Sequence, residues 1–404
     1  MQSKKAKIIL LIVFAISVFF FSSDFGLIDV EKTAIITAIA VDKDNNDYEV
    51  TAQIAVPEAT DTNSENLKTQ ITGKASTIGG AIKNLGDFSG WFPKLAFCNL
   101  ILIGENLTDD NVIDVLDYFA KSLRVQDSAL VAMTEGKAGE LISKATPLDN
   151  ISAFALQKIM LKNIGFDADI ASTDIKTFCQ GHYSINGSAF MPIVKDVKSS
   201  EDNPQSNSGE QSSGGSGISN QSGGSSKKED NNNLFDARTT ALFLNGKKVG
   251  ELSPELTQTY NALFSAFEGT TFPVDNVTFN GQNTNYLLSV VDCMPKVKLH
   301  ATENDLTLKI QLNMYCKVSD HSASGSSEAL SQNMPIPDKV KEKAEQFFAK
   351  NIEELVMTEK QTGCDFMDIK QKLYRFNHKQ YSRYKDNYLS VLKTDISVSV
   401  YGQK

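Results

Sequence analysis

The stretch 199–233 constrains this chain more than any other feature. It consists of Ser, Gly, Asn, Gln and a few charges, and Ile218 is its only large aliphatic side chain. Such a composition buries too little apolar surface to offset the entropy of ordering. Any fold must therefore place its cores on either side of it, or carry it as a long loop on one body. A flexible chain of this length has an end-to-end distance of roughly 30–35 Å. The 404 residues predict two or three domains. We expect folded units at 29–198 and 234–404 around a linker at 199–233, with 234–277 a candidate small middle domain.

Composition restricts function by exclusion. Apolar residues make up 41% and charged residues 22% of the chain, ordinary values for a globular protein. The formal net charge is -9, and no basic cluster follows the first seven residues. This excludes a nucleic-acid partner, which needs a basic footprint. The five cysteines, Cys98, Cys179, Cys293, Cys316 and Cys364, form no CxxC and no Cys/His cluster. An odd number cannot all pair within one chain, and large domains do not need such staples, so small core residues are the expectation.

Lys4, Lys5 and Lys7 precede an apolar run, Ile8 to Phe21, and no charge appears before Asp24. A helix over Ile8–Ser23 would span roughly 24 Å at 1.5 Å per residue, short of a ~30 Å hydrocarbon core. Snorkelling lysines and local thinning close that gap. Three readings stand: a signal-anchor helix over 1–24, a cleaved signal peptide, and a buried helix of a soluble protein. Residues 19 to 25 offer no small-residue cleavage motif. The first two readings export the body, since the lysines stay inside.

Before the linker, Ala34–Val41 and Tyr48–Val56 read as strands around the turn Asp42–Asp47. Ser76 and Thr77 can cap a helix through Ile78, Ala81, Ile82 and Leu85. Leu100–Ile103 reads as a buried strand. Asp109 and Asp110 open a helix carrying Val112, Val115, Leu116, Phe119 and Leu123 at helical spacing, and Ala129–Met133 follows as a strand. After the linker, Thr240–Leu244 and Lys248–Leu252 flank Asn245-Gly246, the strongest short hairpin signal. Lys296–Ala301 and Leu306–Tyr315 form a second hairpin, with Leu306, Leu308, Ile310, Leu312 and Met314 on one face. A helix from Asp338 to Glu359 carries Val340, Ala344, Phe347, Phe348, Ile352, Leu355 and Val356. Met367–Phe376 reads as a shorter helix. A closing strand alternates through Ile396, Val398 and Val400, and the C-terminal part reads as an antiparallel sheet covered by helices. The fold class expected is α+β: a multi-domain body of mixed and antiparallel sheets with packed helices, preceded by one N-terminal membrane helix.

The sequence carries no recognised catalytic pattern. His182, His300, His321 and His378 form no ligand-spaced pair and read as solvated. No GxSxG elbow, P-loop or GxGxxG occurs. Asp42, Asp44 and Asn46 open like an EF-hand loop, but Asp47 stands where glycine is needed and Gln53 where a bidentate Glu is needed. A polar turn is the reading there. Asn106, Asn186, Asn220 and Asn276 begin N-x-Ser/Thr triplets, common by chance. Gly90-Trp91-Phe92-Pro93 holds the only Trp and is expected to pack in the core. No catalytic, cofactor-binding or metal residue is assigned, and no cofactor is expected.

Several segments together resemble the C subunits of bacterial spore germinant receptors, the Ger(x)C family. They are Ala34 to Lys43 with its Asp42-Lys43 end, Ala81 to Leu85, Phe97 to Glu105, and Val115 to Phe119 leading through Leu123-Arg124 to Gly136-Lys137-Ala138. After the linker, Thr240 to Gly250 and the order hairpin, long helix, closing strand ending at Gly402 also fit. The resemblance covers about 29 to 404 outside the linker. It implies a non-enzymatic α/β body acting with polytopic A- and B-type subunits at the outer face of the spore inner membrane. The complex senses a small nutrient, with direct binding by this chain not expected. The alternatives are an extracytoplasmic solute-binding protein serving a transporter, and an exported hydrolase.

Two departures stand out. Family members carry a lipidated Cys near the register of Asp24, and here no Cys precedes Cys98. The insertion at 199–233 is also atypical. The missing Cys argues that the N-terminal helix is retained and replaces the lipid.

Overall fold

The computed structural model describes residues 11–14, 16–17, 32–55, 70–108, 110–121, 125–144, 146, 149, 151–161, 168–198, 233–279, 282–322 and 335–402. Residues 11–14 and 16–17 are helical, in keeping with the apolar run. The rest of the expected anchor, the stretch 199–232, and Asp109, Leu123, Arg124 and Asn220 lie outside the described residues. Among the described residues no helix is long and apolar enough to cross a membrane.

The chain opens with β1 (Thr33–Asp44), β2 (Asp47–Ile54) and β3 (Gln70–Ala75), an antiparallel meander. The turn between β1 and β2 is narrower than expected, because β1 runs through Asp42 to Asp44 and Asn45 takes a left-handed φ of 56°. Next comes α1 (Ile78–Ser89), whose first turn is capped by the Thr77 hydroxyl accepting from Gly80 N–H and whose end is set by left-handed Gly90. The short β4 (Phe92–Lys94) pairs with the start of β1. There follow β5 (Leu100–Ile103), α2 (Val112–Lys121) and β6 (Leu130–Thr134). Then come α3 (Ala138–Ile142), α4 (Ser152–Leu161), β7 (Thr173–Asp174), α5 (Ile175–His182) and β8 (Ser188–Lys198). Strands β1, β5, β6 and β8 are parallel neighbours.

These central strands are apolar at nearly every position because both sheet faces are covered. Ile39, Val41, Ile101, Ile103, Val131 and Met133 face one core, under α1, α2 and α5. Ala38, Ala40, Leu100, Leu102 and Ala132 face the other, under α3 and α4.

The polar stretch does not end this sheet. β9 (Asn233–Leu244) returns antiparallel on β8, from Lys198↔Asn233 to Ser188↔Leu244, and β10 (Lys247–Leu252) pairs with β9. β8 and β9 are thus antiparallel neighbours in one sheet. The strands therefore cross the boundary expected at 199–233, and 234–277 is shared between two sheets. A polar run marks where no core can form; it does not dictate which sheet the next strand joins, and added loop length costs little. Asn245 and Gly246 take φ of 52° and 82°, the left-handed pair required by a tight hairpin.

The second sheet is made by β11 (Thr271–Phe279), β12 (Gln282–Ala301), β13 (Leu306–His321) and β14 (Lys393–Gly402), in that order. It is covered by α6 (Pro254–Phe264) and α7 (Asp338–Thr362), with α8 (Ile369–Phe376), α9 (His378–Tyr384) and α10 (Tyr388–Val391) leading back to β14. Leu306, Leu308, Ile310, Leu312 and Met314 all point into its core, as their alternation predicts. The expectation of a wholly antiparallel sheet fails at its edge, where β14 runs parallel to β13 from Thr307↔Lys393 to Cys316↔Gly402. Period-two alternation is the same in both directions; the helical crossover between the strands decides. Leu242 and Leu252 of the first sheet join this second core, so the two units share a packed junction.

Candidate functional site

Three places merit chemical scrutiny: the carboxyl ends of the central strands, the junction of the two sheets, and one aromatic edge.

At the carboxyl ends of β1, β5 and β6, where open sheets commonly hold ligands, protein atoms fill the space. Asp42 is buried, and its two carboxylate oxygens accept from Ala138 N–H at 2.9 Å and Gly139 N–H at 2.8 Å. They thus satisfy the free amides that open α3. Burial pushes the Asp42 carboxyl above its ordinary value, and the two amides oppose that rise. Gly104 has to be glycine, since a Cβ there would lie 2.0 Å from Asp42 Oδ1. The Glu105 carboxylate accepts from Gly136 N–H at 2.9 Å. The Asn106 side chain holds the backbone of Lys43, and the Lys43 ammonium pairs with Asp110. Asp44 pairs with Lys74. The Asp-Lys end of β1 is a clamp joining successive strand-to-helix connections, and no carboxylate oxygen of Asp42 faces an open cation site.

At the junction, a cleft of about 580 Å³ opens between the two sheets. Thr173, Phe178 and Ser188 line one side; Tyr260, Phe366, Asp368 and Arg375 line the other. Its rear wall is the turn after α7. That helix stops at Gly363, left-handed at φ 69°. The turn docks on the first sheet: Asp365 N–H donates to Ser188 Oγ at 2.9 Å, and Cys364 Sγ donates to Phe243 O at 3.3 Å. The Asp365 carboxylate accepts from Ile369 N–H at 2.6 Å, Lys370 N–H at 2.7 Å and Tyr388 O–H at 3.2 Å. Behind it Glu359 is fully buried, with Oε1 accepting from Met367 N–H at 3.1 Å. Burial, then the neighbouring Asp365, hold the Glu359 carboxyl well above its ordinary value. Burial also pushes the Cys364 thiol up to about 12, so it is no nucleophile at neutral pH. Cys364 and Asp365 are spent on fixing the junction. The arrangement can admit a small polar guest, but it offers no nucleophile with an adjacent base.

The aromatic edge corrects an expectation. Trp91 and Phe92 are 47% and 51% exposed, not packed in the core. Phe88, Phe97 and Ile35 beside them are exposed as well. β4 spans three residues, and among the described residues it pairs only with the start of β1.

Other sequence candidates are dispersed. His300 and His378 are exposed and His182 and His321 half-buried, with none brought to another. Among the described residues no group of His, Cys, Asp and Glu could hold a metal ion. All five cysteines are free thiols; Cys98, Cys316 and Cys364 are buried. The Asn186 side chain donates to Asp368 at 2.9 Å, tying β8's approach to α8. Sequence reasoning missed the Asp365–Glu359 pair, because a charged residue in a helix or turn carries no mark of burial.

Two family models match in succession: the spore germination protein N-terminal domain over residues 27–196, and the spore germination B3/GerAC-like C-terminal domain over residues 238–402. Their limits fall where the polar stretch does, although the strands pair across it. Among solved structures, the crystal structure of the GerBC protein is similar at 15% identity, covering 93% of this chain and 100% of that one with a TM-score of 0.47. Comparison with curated proteins gives no significant match.

Proposed function

Because this chain belongs to the Ger(x)C family of spore germination proteins, we propose that it is the non-enzymatic C subunit of a membrane germinant receptor. It acts with polytopic A- and B-type subunits at the outer face of the spore inner membrane, held there by its N-terminal apolar segment. The observation that carries this reading is the consecutive match of both family domains in their proper order. The saturation of the Asp42 and Asp365 carboxylates by backbone donors supports a structural rather than chemical use of the acidic groups. The solute-binding alternative gains nothing from the fold, since such proteins close two similar lobes on a ligand and the two sheets here differ in size and connection.

The test is affinity capture of the tagged full chain from detergent-extracted spore membranes. Recovery of a polytopic transporter-like subunit and a second membrane subunit is expected. Recovery of the chain alone, together with tight calorimetric binding of an amino acid or sugar by the isolated chain, would replace this reading with the solute-binding one.

A further inference from the structure

We propose that the exposed aromatic edge around β4 is a docking surface for an anionic lipid bilayer, on which the body of the protein lies. The inference rests on the N-terminal segment being the membrane tether. Phe88 in the last turn of α1, Trp91 and Phe92 at β4, Phe97 in the next turn and Ile35 on β1 are all substantially exposed, Phe88 at 77%. They are neighbours: Thr33, Ala34 and Ile35 pair with Phe92, Pro93 and Lys94, and the backbone of Trp91 lies against Gly86 of α1.

Position in the chain selects the partner. Only residues 24–31 separate the expected helix over Ile8–Ser23 from Lys32. Fully extended they reach roughly 25–30 Å. A tether that short holds the start of β1, and so this edge, within about that distance of the membrane surface. Composition agrees, since Trp and Phe with flanking lysines suit the interfacial zone of a bilayer. Lys32 and Lys94 are exposed on either side of the aromatic residues and form no ion pair among the described residues. They are free to meet anionic headgroups. On the α1 side Asp87 pairs with Lys83 at 2.6 Å; Asp24, Asp29 and Glu31 of the connecting segment oppose the lysines, so the aromatic side chains carry the contact.

Trp91 is the chain's only tryptophan, so its emission reports on this edge alone. The full chain is reconstituted into phosphatidylcholine–phosphatidylglycerol vesicles containing lipids brominated on their acyl chains. We expect the protein to float with the vesicles and Trp91 to lose about half its emission, most strongly with bromines near the headgroup, as for an interfacial residue. The double substitution Phe88→Ser/Phe92→Ser, which replaces two exposed side chains, restores most of that emission while flotation persists. Flotation with Trp91 unquenched by bromolipid overturns the proposal. In that case, quenching by aqueous iodide means a bare surface, and protection from both quenchers means cover by protein. Failure to float removes the tether itself, a result distinct from a failure of subunit capture.

Discussion

Asp42 offers the sharpest test of how the strand ends are held. Replacing it by Ala removes the acceptor of two amides, Ala138 N–H and Gly139 N–H, in a site where Asp42 is 4% exposed. Hydrogen bonds to a charged group contribute roughly 1.5–3 kcal/mol each, and an orphaned buried donor costs about as much. Burial already weighs against the Asp42 charge, as its raised pKa direction shows. The lower end therefore applies, and two bonds give a loss of about 3 kcal/mol. Asp42→Asn keeps one acceptor oxygen and turns an N–H₂ toward the second amide; we expect a loss of about half that, in line with one bond. The assay is urea unfolding of the full chain followed by circular dichroism, with amide hydrogen exchange over 137–142. Faster exchange at the start of α3 is expected in both variants. An Asp42→Ala protein within about 0.5 kcal/mol of wild type, the range of an ordinary surface change, would refute the clamp.

Glu359→Gln is expected to stabilise the protein at neutral pH. The folded Glu359 carboxyl titrates well above its ordinary 4.5, so the folded state binds a proton that the unfolded state releases. That contribution is fully present below pH 4.5 and is lost as pH rises through the folded value. The stability difference between variant and wild type should therefore grow as pH rises from 4.5; a flat difference in urea midpoints across pH 4 to 8 would contradict the assignment. Shortening 199–232 to a four-residue turn should leave the fold intact, because Lys198 and Asn233 are paired neighbours. Loop-closure scaling gives a gain of about 1–2 kcal/mol, and a loss of stability on thermal unfolding would show that the stretch packs on the body.

What the sequence revealed and what it hid divide along physical lines. Local signals were legible: the Thr77 cap, the Asn245-Gly246 turn, the alternation of Leu306 to Met314, and the stripe of α7 all stand where their patterns put them. Each depends on contacts within a few residues or on one burial face. Pairings set across the chain were not legible. Alternation in Ile396, Val398 and Val400 identifies a strand face but not the parallel partner β13. Asp42 meets α3 across a separation of 96 residues, which no local spacing announces. The exposure of Trp91 and Phe92 was misread for the same reason: an apolar cluster looks alike whether a neighbouring element covers it or not.

The central claim is a role in nutrient-triggered germination. It is tested most directly by deleting this chain's gene in its sporulating host and following loss of spore refractility after adding single amino acids and sugars. The account predicts that the response to at least one nutrient is lost and returns when the full chain is restored. Unchanged germination to every nutrient, in spores lacking other nutrient receptors, would contradict it.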